Sequence, residues 1–197
     1  MKILITAFGP FDGRVENASS LALHALTAAV PGICTRILPV DSVVAPARLK
    51  QALRRIRPDV IILLGEAAGA KTIRLESTAW NELDFKIPDI AGRQPAARAI
   101  DPGSPPIHRA TLPLAKIQVS LEANGHQVSL SHDPGRYLCN QVFFTALDWL
   151  HTHALPCRAG FIHLPLASDY PTDRAADALA QVVTELRIQN RSAAPPA

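Results

Sequence analysis

Asp59-Val60-Ile61-Ile62-Leu63-Leu64 is an unbroken apolar run that stops at Gly65. A strand that is apolar on both faces is buried on both, which is the pattern of a central strand in a parallel sheet. The segments on either side alternate in type. Residues 2–7 are apolar and β-prone and predict a first strand, broken by Phe8-Gly9-Pro10-Phe11-Asp12-Gly13. Leu21, Leu23, Leu26 and Ala29 fall at helical spacing between Ser19 and Val30, and Pro31-Gly32 stops that helix. Ile33 to Val40 predicts a strand. Asp41 to Ile56 predicts a helix, with Pro46 tolerated only in its first turn.

Downstream, Glu66 to Ala70 reads as a loop. Lys71 to Trp80 sets Ile73, Leu75 and Ala79 against Thr72, Arg74 and Glu76, which predicts one half-buried strand. Asn81 to Arg109 is rich in Pro and Gly and has no steady period. A loop of that length in a compact domain is more often functional than idle. A helix follows over Leu114 to Asn124, capped by Gly125, and then a strand over Gln127 to Ser131. Leu138 to His151 predicts a helix, Ala159 to Leu164 a buried strand, and Asp173 to Gln189 a closing amphipathic helix. This alternation implies an α/β fold, a three-layer α/β/α sandwich with a mostly parallel central sheet, phosphorylase/hydrolase-like in architecture. Residues 1–189 are expected to form one domain and 190–197 a flexible tail.

The bulk properties narrow the function. A chain of 197 residues, 48% hydrophobic and 19% charged, is expected to bury a sizeable core rather than stay disordered. No apolar run is long enough to cross a bilayer, and the apolar stretch after Met1 is too short for a signal peptide. A cytoplasmic chain with no membrane partner is therefore expected. The net charge is only +3, and the densest basic cluster, Arg54-Arg55-Ile56-Arg57, reads as a solvated helix end rather than a nucleic-acid surface. Cys34, Cys139 and Cys157 cannot all pair and lack zinc-site spacing, which fits free thiols in a reducing compartment. His151, His153 and Cys157 match no standard metal site, so neither metal nor cofactor is expected. Glu66-Ala67-Ala68-Gly69 lacks the Lys-Ser/Thr of a phosphate loop and the dinucleotide fingerprint, although its backbone can serve a ligand.

Three side chains can carry chemistry. Cys139 follows the turn Asp133-Pro134-Gly135 and opens a predicted helix, and a helix N-terminus stabilises a thiolate. The alternative is a small buried hydrophobe. Cys34 inside a strand and Cys157 beside Pro156 read as structural. His163 ends the strand Gly160-Phe161-Ile162-His163, on the rim expected to hold Cys139. It can be the base that a thiol needs, or a hydrogen-bonded core histidine. Glu76, on the polar side of its strand, can orient that histidine, or be an ordinary exposed residue. Phe8 and Phe11 can wall a small flat pocket or cap the core.

Taken in order along the chain, these segments resemble the pyroglutamyl peptidase type I (pyrrolidone-carboxylate peptidase) family. The family's Phe-x-Pro-Phe-Gly-Gly and Asn-Pro-Ser appear as Phe8-Gly9-Pro10-Phe11-Asp12-Gly13 and Asn17-Ala18-Ser19. Its Gly-Gln-Ala-Gly-Gly appears as Gly65-Glu66-Ala67-Ala68-Gly69. Its Glu-Arg-x-Ala-x-Asn and Arg-Ile-Pro-Asp appear as Glu76-Ser77-Thr78-Ala79-Trp80-Asn81 and Lys86-Ile87-Pro88-Asp89. Its Gly-x-x-x-Cys-Asn is Gly135 to Asn140, and its Gly-Phe-Ile-His-x-Pro is Gly160 to Pro165.

The resemblance implies a thiol peptidase acting on small peptides with an N-terminal pyroglutamate, and a homo-oligomer, dimer or tetramer. It implies Glu76, Cys139 and His163 as a triad, with Lys86 aiding the oxyanion. Phe8, Phe11, Ile87 and Tyr137 would form a lactam pocket, with the main chain of Glu66 pairing with the lactam amide and Asn17 buttressing it. Lys86 stands where the family has arginine, Glu66 where it has glutamine, and Tyr137 where it usually has phenylalanine. Two other readings remain open: a nucleosidase or phosphorylase on a similar fold, and a catalytically weakened homologue that binds lactam or acyl ligands.

Overall fold

The computed structural model describes residues 1–192. The elements run β1 (Ile3–Phe8), α1 (Ala18–Ala29), β2 (Ile33–Leu38), α2 (Val44–Ile56), β3 (Val60–Glu66), β4 (Ile73–Glu76) and β5 (Thr78–Trp80). They continue β6 (Ile107–Arg109), α3 (Leu114–Ala123), β7 (Val128–Ser131), α4 (Leu138–Thr152), β8 (Arg158–Leu164) and α5 (Thr172–Ser192). The closing helix thus takes in 190–192 of the expected tail, and 193–197 lie outside the described residues.

The main sheet has the order β2-β1-β3-β8-β4-β7. The apolar run 60–64 lies at its centre, parallel to β1 on one side and β8 on the other. Val60, Ile62 and Leu64 pack with Leu23, Leu26, Leu179 and Val183 on the α1/α5 face. Ile61 and Leu63 pack with Leu49, Leu53, Phe143 and Phe144 on the α2/α4 face. The expected three-layer sandwich is therefore present, with a core on each face of the sheet.

The expected single strand over 71–80 is a correction: it is two strands in two sheets. β4 pairs with β8 and β7, whereas β5 pairs with β6 in a separate two-stranded sheet. Ser77 is the hinge, because its N–H donates to the Ser131 carbonyl while its own carbonyl accepts from the Ala110 N–H. Period-2 alternation continues through such a change of partner, so the pattern hides it. β4 runs antiparallel to β8 because the link 67–72 is too short for the helical crossover that a parallel return needs.

From β1 the chain goes to β2 on one side and later to β3 on the other. The carboxyl ends of β1 and β3 therefore flank a topological switch point, where open α/β sheets bind ligands. One position on β8 tests the packing beneath it. A Cβ added to Gly160 would sit 2.5 Å from Leu112 Cδ1. Gly160→Ala is expected to lower stability by about 1–3 kcal/mol through overpacking. Urea melts should show a lower midpoint with the slope retained, and an unchanged midpoint would contradict this packing.

Candidate active site

Cys139 is the second residue of α4. Tyr137, the N-cap, is extended and makes no side-chain capping bond. The Gln141 N–H donates to the Tyr137 carbonyl at 3.0 Å as the first bond of the helical ladder. The N–H groups of Leu138, Cys139 and Asn140 precede that ladder, as in the first turn of any helix. Two buried amides fix how this end of α4 docks. Asn140 Nδ2 donates to the carbonyls of Trp80 and Glu82, and its Oδ1 accepts the Trp80 N–H at 2.8 Å. Gln141 Nε2 donates to the Ser42 carbonyl at 2.9 Å. The sulfur then lies against the end of β3, where a Cβ on Gly65 would be 2.8 Å from Sγ and 2.7 Å from the Phe161 ring. Only a residue without a side chain lets the thiol settle there.

His163 is the ladder partner of Gly65, one strand along the sheet. Its ring is almost fully buried, and its Nδ1–H donates to Glu76 Oε1 at 2.8 Å. Glu76 is 0% exposed, so it is not the ordinary exposed residue that the polar side of its strand also allowed, and its second oxygen has no partner among the described residues. Burial opposes a charge on His163. The charge of Cys139, a hydrogen bond to it, and the bond and charge of Glu76 outweigh that burial and push the imidazole up to about 9. A buried carboxylate with one free oxygen favours the protonated ring, because two bare charges in the interior are costly apart. Cys139, His163 and Glu76, widely separated in sequence, thus form one connected group.

A cavity of about 340 Å³ opens onto Cys139 and His163. That is the small end of ligand pockets, which run about 300–1,000 Å³. Phe8, Phe11, Val40 and Tyr137 supply its apolar wall. Tyr137 stacks on Phe11 with centroids 6.0 Å apart and tilts against Phe85 at 4.3 Å. Asn17 and Glu66 also line it. A family model for pyroglutamyl peptidase matches residues 1–194.

The chain belongs to the pyroglutamyl peptidase family.

It is 36% identical over 171 residues to the pyrrolidone-carboxylate peptidase of Thermococcus litoralis, covering 85% of this chain and 78% of that one. It is 35% identical over 167 residues to pyrrolidone-carboxylate peptidase 1 of Caldanaerobacter subterraneus subsp. tengcongensis, covering 84% and 82%. The solved pyrrolidone carboxyl peptidase of Thermococcus litoralis superposes with a TM-score of 0.88 at 30% identity, covering 100% of this chain and 99% of that one. The pyroglutamyl peptidase I of Bacillus amyloliquefaciens gives 0.86 at 28% identity, with 93% of each chain covered.

Glu66, Lys86 and Tyr137, which depart from the pyroglutamyl peptidase pattern, each have a local partner. The Glu66 side chain accepts the Ala18 N–H at 2.7 Å, at the N-terminus of α1, and pairs with Arg14. A carboxylate is favoured at a helix N-terminus, so its charge is compensated there. Asn17 is the N-cap of α1, with Oδ1 accepting from the N–H and hydroxyl of Ser19. The Tyr137 hydroxyl donates to the Pro88 carbonyl at 3.1 Å. Burial foremost, then the charges of Asp89, Asp12 and Cys139, push that phenol up to about 12.

Lys86 and Ile87 are not brought to the cavity. The Lys86 side chain is 84% exposed and its ammonium pairs with Asp84 on the same loop, so a flexible point charge is spent locally. Ile87 is 39% exposed. Sequence reasoning missed Asp89, Arg74 and Asp133. Asp89 accepts from the Ser42 N–H and hydroxyl and from the N–H groups of Ala91 and Arg93. Although burial alone would raise its carboxyl, these bonds hold it at about 2 and clamp the long loop beside Tyr137. An Asp directly after Ile87-Pro88 in a long loop was the available signal.

Proposed function

We propose that this chain is a cysteine peptidase that releases the N-terminal pyroglutamyl residue of small peptides through an acyl-enzyme. The observation that carries the reading is the buried Glu76–His163 pair set beside Cys139, at the edge of an apolar cavity on the switch-point rim. Cys139 Sγ, as thiolate, attacks the pyroglutamyl carbonyl carbon. The oxyanion is received by the N–H of Cys139, which precedes the α4 ladder. His163 gives its proton to the leaving amine, the C–N bond breaks, and a thioester remains. His163 then takes a proton from water, whose oxygen attacks the thioester; the C–S bond breaks, freeing pyroglutamic acid and restoring the thiolate beside the imidazolium. Phe8, Phe11 and Tyr137 sandwich the flat lactam, and main-chain groups around Glu66 pair with its amide. Lys86 has no part in this scheme as placed, so the oxyanion rests on α4 alone.

The test is release of a fluorescent amine from a pyroglutamyl amide under reducing conditions. Release supports the reading. Binding of the lactam without release would instead describe a weakened homologue. A nucleosidase-like enzyme gives Cys139 no task.

The thiols themselves offer a second check. Iodoacetamide at neutral pH is expected to alkylate Cys139 before Cys34 or Cys157. Cys157 is held inert by burial, foremost, which pushes its thiol up to about 12. Cys34 lies within β2, partly buried. Peptide mapping by mass spectrometry reads the order, and equal rates at the three sites would remove the case for an activated thiol.

The same reading takes residues 1–189 as one peptidase domain, working in the cytoplasm as a homo-oligomer of two or four copies. Three free thiols suit a reducing compartment, and among the described residues no helix is long and apolar enough to cross a membrane. Light scattering on the purified chain decides the assembly, and a monomeric mass would rule it out.

A further inference from the structure

Four charged residues line the cavity: Glu66, Arg74, Asp133 and His163. Three are engaged. Glu66 pairs with Arg14, Asp133 with Arg136, and His163 with Glu76. Arg74 alone among them has no side-chain partner within the described residues. An arginine whose five donors are unmatched, at the wall of a cavity, is a site awaiting an anion.

The fold shows which part of a substrate it can meet. β4 is antiparallel to β8, and Arg74 lies directly opposite His163 in the ladder. Directly opposite residues point to the same face with Cβ atoms about 5 Å apart. Arg74 therefore shares the His163 face, and Glu76, two residues on, lies there too. Like charges directly opposite are unfavourable, so the guanidinium is better placed reaching away from the imidazolium over the cavity mouth.

Along the rim the order is β1, β3, β8, β4. Phe8 ends β1, Gly65 under Cys139 lies at the end of β3, His163 is on β8 and Arg74 on β4. The lactam wall is at the β1 end. His163 must reach the leaving amine, so the leaving residue lies on the His163 side of the sulfur, away from that wall. The next group outward is Arg74.

We propose that Arg74 is a specificity-determining residue that pairs with a carboxylate carried by the residue after pyroglutamate. This rests on the peptidase reading above and deepens it. A guanidinium fork matches a carboxylate through two parallel hydrogen bonds, which a lysine or an uncharged side chain cannot reproduce. The carboxylate has two sources: the free C-terminus of a pyroglutamyl dipeptide, or an acidic side chain following the pyroglutamyl residue.

The experiment compares kcat/KM for two substrate pairs. The first is pyroglutamyl-alanine as free acid and as amide. The second is pyroglutamyl-glutamate amide and pyroglutamyl-glutamine amide. The intact chain is expected to favour the carboxylate member by about fivefold, in the range of a partly exposed ion pair. The preference should shrink as salt rises. Preference in the first pair only assigns the C-terminus, and preference in the second only assigns the side chain. In Arg74→Met the ratio should fall to about one, and in Arg74→Glu it should reverse. Each ratio is taken within one protein, so a loss of folded material cancels. Cleavage with no preference in the intact chain, or the same preference in Arg74→Met, overturns the role of Arg74. Failure of the intact chain to cleave any of the four overturns the peptidase reading itself.

Discussion

Cys139→Ala is expected to abolish amine release from a pyroglutamyl amide, by on the order of 10⁴-fold or more in kcat/KM. The sulfur forms and breaks the only covalent bond between protein and substrate in the proposed route, and no other thiol lines the cavity. Truncation removes a single atom from a partly exposed residue at a helix start, so stability should move by less than about 1 kcal/mol. The lactam should still bind, since Phe8, Phe11 and Tyr137 are untouched. Cys139→Ser should be nearly as inactive, because a hydroxyl is a far weaker nucleophile in the same place. Activity is read by amine release and folding by denaturant midpoint. Substantial turnover by Cys139→Ala would remove the sulfur from the mechanism and reopen the nucleosidase-like reading.

Glu76→Gln should cost on the order of 10²–10⁴-fold in kcat/KM and should also reshape the pH profile. In the intact chain His163 stands at about 9, so the imidazolium persists through neutral pH. Activity that needs the imidazolium falls as pH rises through that value, which appears as an alkaline limb in the pH profile. Glutamine keeps the shape and one acceptor for Nδ1–H but removes the negative charge. The alkaline limb should therefore move to lower pH.

Stability follows the same sign. A histidine raised from its ordinary 6.5 to about 9 contributes stability that is complete below 6.5 and lost as pH rises through about 9. Melts of the intact chain and Glu76→Gln should differ most near pH 6 and converge above pH 9. A limb that stays in place in Glu76→Gln would mean that the buried carboxylate does not govern His163.

The run 60–64 was legible as a central strand because burial on both faces leaves no polar residue in the pattern. The start of α4 at Leu138 was legible from the turn before it and the helical spacing after it. Both are local properties. The burial of Glu76 was not, since alternation placed it on a polar face and nothing local shows that His163 meets it there. Ser77 hid a change of sheet for the same reason. Lys86 was expected at the cavity by its place in a motif, but its ammonium found Asp84 two residues away, and a motif does not record such local competition.

What the amino-acid order determined alone is the layered α/β framework and the identity of the three chemically able side chains, because periodicity, turn residues and motif order act over short stretches of chain. The tertiary structure alone decided that Glu76 is sealed against His163, that Arg74 lines the cavity with no charged partner among the described residues, and that Lys86 stands outside. Those outcomes depend on which strand lies beside which, and strand neighbours at this rim are set by long-range packing between residues as far apart as 74 and 163.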